Sequence, residues 1–167
     1  MNCSFTIPFV GLKLGEHEFE FDIDDSFFEA LPYSLIEKGK LKVWLNLEKK
    51  QTMLLASFYV NGIIELVCSR CNETMDEEID GELAIIYKFG SDPSEDENLI
   101  VISPNSYEID VTQPIYELIT ILLPLRPIHQ EGKCNEEMVK LIDKFEAKQN
   151  KENDNLDPRW SVLKNLN

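Results

Sequence analysis

An alternation with a period of two runs through the first two-thirds of this chain and limits its fold more than any other feature. In residues 16–24, Phe19, Phe21 and Ile23 alternate with Glu18, Glu20, Asp22 and Asp24. Successive side chains of a strand point to opposite faces, so this pattern predicts a strand with one face in water. Leu41, Val43, Leu45 and Leu47 alternate in the same way with Lys42, Trp44, Asn46 and Glu48. After a turn at Lys49-Lys50-Gln51, residues 52–60 and 63–67 read as two strands joined at Asn61-Gly62, because a type I′ hairpin turn needs positive φ at both central positions. Further strands are expected at 79–89 and 99–102, with one or two short helical turns between residues 24 and 39.

After Ile109 the period changes to 3.6. Asp110 or Thr112 can cap a helix with Pro114 in its first turn and Ile115, Leu118, Ile119 and Leu122 along one face, ending at Pro124. Asn135 caps a second helix, with Glu136 and Glu137 at its positive end and Met138, Leu141, Ile142 and Phe145 as its buried stripe. The expected architecture is α+β: an antiparallel sheet or partly closed barrel followed by two or three C-terminal helices. Residues 1–148 read as a single domain, 149–156 as a polar linker, and 157–167 as a short helix opening on Asp157-Pro158.

The chain carries 31 Asp and Glu against 16 Lys and Arg, a formal net charge of −15. Such a chain is repelled by phosphate backbones and anionic lipid and favours basic partners. Its aromatic content of 10% supplies burial that disordered acidic chains lack. Residues 73–98 hold 10 of the acids and 1 of the bases. A charge run of this kind reads as a solvated face and a solubilising loop. It also reads as a docking surface for a cationic protein, with Glu77, Glu78, Asp92, Glu95, Asp96 and Glu97 as the partner-binding residues.

One constellation has metal-site chemistry. Cys68-Ser-Arg-Cys71 places two thiols on a tight knuckle, half of a tetrahedral zinc site, and the stretch from His129 to Cys134 offers the other half, with Gly132 letting the loop double back. A zinc ion there would pin the helical part to the β-body. Buried reduced thiols are the alternative reading. A redox dithiol fits less well, because the acidic residues that follow raise thiol pKa values. Cys3 reads as a lone thiol and His17 as a surface histidine. No nucleophile elbow, P-loop, dinucleotide fingerprint or HExxH motif is present, and the chain reads as non-enzymatic. No stretch approaches a membrane span and the start lacks a signal-peptide pattern, so a cytoplasmic location is expected.

Three segments together carry a family resemblance: Cys68-Ser-Arg-Cys71, residues 109–134 (IDVTQPIYELITILLPLRPIHQEGKC), and residues 157–166 (DPRWSVLKNL). In order and spacing they resemble the YceD-like family, the large ribosomal RNA subunit accumulation proteins, and the opening IPFVGLKLGEHEFEFDIDDSFFE is similar to the branch found in the Bacteroidetes. The resemblance implies a cytoplasmic ribosome-biogenesis factor that supports accumulation of the large-subunit ribosomal RNA. Family members are commonly encoded beside a small basic large-subunit ribosomal protein, which makes such a protein the expected partner, with ribosomal RNA or a pre-ribosomal particle as the alternative. The chain's three arginines, Arg70, Arg126 and Arg159, fall one in each matching segment. Brought together, they would offer RNA a cationic patch with Trp160 available for stacking. Ion pairing with the chain's own carboxylates, and packing of Trp160 into the body, are the competing readings.

Overall fold

The computed structural model describes residues 5–90, 96 and 98–145. The chain opens on a short strand, β1 (Thr6–Pro8), and then builds the body from β2 (Gly15–Ile23), helix α1 (Asp25–Glu29), β3 (Gly39–Lys49), β4 (Met53–Val67), β5 (Thr74–Phe89) and β6 (Leu99–Ile102). Strand β7 (Glu108–Asp110) follows, then helices α2 (Thr112–Ile121) and α3 (Glu136–Phe145). Strands β2 to β6 lie side by side in chain order as an open five-stranded sheet, and β1 pairs with β7 in a separate two-stranded one. The architecture is α+β, mostly antiparallel, as the alternation predicts. Among the described residues no helix is long and apolar enough to cross a membrane.

Two neighbouring rows show how the alternation becomes a layered structure. Phe19, Leu45, Phe58 and Leu83 are in register across β2 to β5 on the core face, and Glu20, Trp44, Tyr59 and Glu82 form the next row on the opposite face. The core face is covered by α1, α2 and the β1/β7 ladder. Phe27, Phe28, Ile115, Leu118 and Ile119 join Val43, Leu45, Leu54 and Val60 in one buried cluster. Among the described residues no element covers the other face, an arrangement that antiparallel sheets allow. At the start of α1 the Asp24 carboxylate accepts from Ser26 N–H at 3.0 Å as an N-cap. Helix α2 instead has Val111, not Asp110 or Thr112, at its N-cap position with no side-chain cap, and the Asp110 carboxylate accepts from Thr112 N–H at 2.8 Å just ahead of it.

Five features depart from the sequence expectation. Asn61-Gly62 is not a turn: β4 runs through it, and Gly62 is required because a Cβ there would stand 2.4 Å from the Lys40 carbonyl and 2.7 Å from the Leu41 Cα. The hairpin turns at residues 68–73 instead. Strand β5 begins at Thr74, five residues before the expected start, so Asp76, Glu77 and Glu78 lie within the strand and not ahead of it. Strand β6 pairs parallel to β5, since the chain after Phe89 returns to the level of Ile86 before β6 starts. The β1/β7 ladder is too short to show a period. Finally, α3 fully buries none of its residues: Leu141 and Phe145 are 51% and 76% exposed, and Met138 and Ile142 are only half-buried. The polar linker at 149–156 and the helix at 157–167 lie outside the described residues.

Candidate metal centre

The sequence places two cysteines where the longest hairpin of the sheet must turn. Strands β4 and β5 stay paired from Met53↔Lys88 to Val67↔Thr74, and residues 68–73 close them. Cys68 N–H donates to the Glu73 carbonyl at 2.8 Å and Asn72 N–H to the Cys68 carbonyl at 2.9 Å. Asn72 takes φ of 59°, a left-handed conformation that asparagine tolerates better than most residues. This knuckle brings Cys68 and Cys71, both buried, to one point.

The second pair arrives from the chain beyond α2. Ser69 N–H donates to the Pro127 carbonyl at 2.8 Å, laying that segment against the knuckle. Gly132, at φ 81°, then turns the chain so that His129 and Cys134 face the same point. The Cys71 Sγ lies 3.2 Å from His129 Nδ1, and the Cys134 Sγ lies 3.9 Å from both Cys68 Sγ and His129 Nδ1. All four ligand atoms are within 4.8 Å of one another. Two sulfurs bound at the usual zinc distance in a tetrahedron are about 3.8 Å apart, so the four atoms stand close to the vertices such an ion requires.

The electrostatics favour a thiolate at one vertex. Burial works against charge on Cys68, but backbone N–H groups of Cys71, His129 and Arg70 outweigh it and bring this thiol down to about 5; the Arg70 and His129 amides lie 3.4 and 3.5 Å from its sulfur. His129 is raised above the ordinary imidazole value by its hydrogen bond with Cys68, against its desolvation. Cys134 is pushed up to about 11 by burial and by the neighbouring Cys68 and Cys71. A divalent cation at this point would favour the thiolate form of its cysteine ligands and displace their protons. The cluster can hold a metal such as zinc. Three cysteines and one histidine would fill a tetrahedral zinc, leaving no open position for substrate, which is the pattern of a structural site. A thiol–disulfide exchange site needs only two cysteines; here a third thiol and an imidazole converge as well.

The other predicted residues are spread more widely. Arg70 and Arg126 are both exposed, lie on the two segments joined by the Ser69–Pro127 hydrogen bond, and form no salt bridge with a described carboxylate. Arg159 and Trp160 lie outside the described residues, as do Cys3, Asp92, Glu95 and Glu97. Asp96 is exposed and its carboxylate accepts from Asn98 N–H at 3.1 Å. Glu78 is exposed on the open face, but Glu77, its neighbour on β5, is half-buried and points to the other side. The acidic window is therefore not one surface. His17 is half-buried, with Nε2 2.8 Å from the Lys13 carbonyl. Sequence reasoning missed the acids of β2 and the pair Trp44 and Tyr59, which share the open face with Glu78. The signal was the same alternation, compared between strands; without the register it does not show which residues become neighbours.

The family model described as "Large ribosomal RNA subunit accumulation protein YceD" matches residues 56–167, a span that includes all four candidate ligands. No curated protein matches the chain, and no solved structure does.

Proposed function

Given that this chain belongs to the YceD family of large ribosomal RNA subunit accumulation proteins, we propose that it works in ribosome biogenesis as a non-enzymatic cytoplasmic factor of the Bacteroidetes-type branch, binding a basic large-subunit ribosomal protein through its acidic surface. Family membership implies the role in large-subunit ribosomal RNA accumulation. The binding mode rests on one observation: Glu16, Glu18, Asp76, Glu78 and Glu82 are exposed on one side of the sheet, and none of them forms a salt bridge with a described residue. Carboxylates concentrated in this way attract a cationic protein, speed its capture and shield it from premature contact with RNA. Zinc at Cys68, Cys71, His129 and Cys134 would hold the C-terminal segment against the hairpin and keep that body in one shape.

Isolation of the tagged protein with and without nuclease tests this reading. A basic large-subunit protein should remain bound after nuclease treatment and leave as salt is raised. Recovery that depends wholly on RNA would overturn it. A second reading is direct RNA contact, favoured by Arg70 and Arg126 standing exposed beside the metal centre without carboxylate partners among the described residues. In that case Arg70→Ala with Arg126→Ala would abolish nuclease-sensitive recovery and leave the protein partner in place.

A further inference from the structure

We propose that the solvent-facing side of the five-stranded sheet is a docking face for an extended, arginine-rich segment of a basic protein. This rests on the function proposed above and assigns the binding surface to residues of the sheet in place of Asp92, Glu95, Asp96 and Glu97. The centre of the face is the row Glu20, Trp44, Tyr59 and Glu82, in register from the edge strand β2 to β5. Trp44 and Tyr59 are 38% and 41% exposed, and their ring centroids are 5.4 Å apart. The Tyr59 hydroxyl donates to the Asp80 carboxylate, which also accepts from Asn61 Nδ2 at 3.1 Å, so the ring is anchored from its edge.

Carboxylates border this aromatic pair on both sides. Lys42 of β3 contacts Glu20 and Asp22 of β2, while Glu16 and Glu18 have no such cation among the described residues. On β5, Asp76, Glu78 and Glu82 face the same way. Lys40, Lys42 and Lys88 stand on the same face, but the carboxylates outnumber them, and like charges set side by side on a sheet repel one another. A cationic ligand would relieve that repulsion. Alternate residues along a strand repeat at about 6.8 Å, the same spacing at which an extended peptide presents alternate side chains. Arginine fits this face better than lysine, because a guanidinium stacks on aromatic rings and pairs with a carboxylate through two parallel hydrogen bonds. RNA would meet the carboxylates with its phosphates, and a second copy of this chain would bring the same negative face.

The test is fluorescence anisotropy of a labelled Arg-Ser repeat peptide titrated with the full chain, with thermal melts confirming that each variant is folded. Glu18→Lys with Glu82→Lys should weaken binding about tenfold. Glu29→Lys with Glu108→Lys makes the same change in net charge away from this face and should weaken it less than about twofold. Trp44→Leu should weaken binding about threefold and remove the preference for the Arg-Ser peptide over a Lys-Ser peptide of equal length. Equal losses from the two charge-reversal pairs, or an arginine preference that survives Trp44→Leu, would overturn the docking face. If reversal of Asp92, Glu95, Asp96 and Glu97 abolished binding and the face variants did not, this face would be wrong while the capture of a basic protein would stand. If the unaltered protein bound neither the peptide nor any basic ribosomal protein, both would fall.

Discussion

Ile115, Leu118 and Ile119 of α2 are at most 1% exposed, whereas α3, which has the same length and a comparable apolar stripe, leaves Leu141 and Phe145 at 51% and 76%. The two helices are fastened by different chemistry. Each fully buried aliphatic side chain of α2 contributes about 1.5–3 kcal/mol through removal from water, so α2 belongs to the core whatever happens elsewhere. The segment carrying α3 has little of this. Its ties to the sheet are the Ser69–Pro127 hydrogen bond, the bond from Asn135 Nδ2 to Glu73 Oε1 at 2.6 Å, and the convergence of His129 and Cys134 on the cysteine knuckle. A chain can hold a polar stretch in place without burying it when one ion gathers four ligands, because the ion replaces the missing apolar area.

Metal removal should separate the two regions most. Structural zinc contributes on the order of 10 kcal/mol or more to small zinc-dependent folds. Chelation of the zinc-loaded protein, or Cys68→Ser with Cys71→Ser, should therefore expose residues 124–145 to proteolysis and fast hydrogen exchange while α2 and the sheet keep their protection. Loss of protection in α2 at the same rate would erase the distinction. Acidification should act in the same direction as chelation, since protons compete with the ion for the thiolates. Cys68, whose free thiol is held at about 5, well below the ordinary value, protonates at lower pH than Cys134, which is pushed up to about 11. In the metal-free protein its preference for the thiolate stabilises the fold at pH values above the ordinary thiol range, and that contribution is lost as pH falls through about 5.

A smaller effect should come from the other side of the comparison. Ile119→Ala leaves a cavity beneath α2 and should lower global stability by about 2–5 kcal/mol in urea unfolding, with zinc content per chain unchanged. A drop in zinc content would mean that the metal centre leans on α2. Smallest is the cap of α3. The Asn135 Oδ1 accepts from Glu137 N–H at 2.9 Å and Met138 N–H at 3.3 Å. Asn135→Ala should cost about 1 kcal/mol, read as faster hydrogen exchange within α3 alone.

Much of this was legible from residue order. The strands follow the alternation, α2 follows its 3.6 period and Pro114, and the four metal-centre residues follow from a CxxC knuckle and a second pair. What was not legible has identifiable causes. Asn61-Gly62 carries the strongest local hairpin signal, but Gly62 serves a close approach of the β3 backbone at Leu41, and a contact between residues twenty-one positions apart leaves no local trace. The stripe of α3 has the period of a buried face yet is at most half-buried among the described residues; periodicity states which side of a helix is apolar, not how much lies against that side. The acidic window looked like one surface because its residues are consecutive, yet Glu77 and Glu78 point to opposite faces of β5.

The sequence by itself determined most of the longer elements, the apolar side of each and the identity of the candidate ligands, because these depend on side-chain chemistry at fixed short spacings. Only the tertiary structure decided that the hairpin turns at the cysteines, that His129 and Cys134 reach them, and that Glu18, Trp44, Tyr59 and Glu82 share a face. Those outcomes depend on strand register and on hydrogen bonds between distant residues, such as Ser69 to Pro127, and register is set by the whole sheet at once.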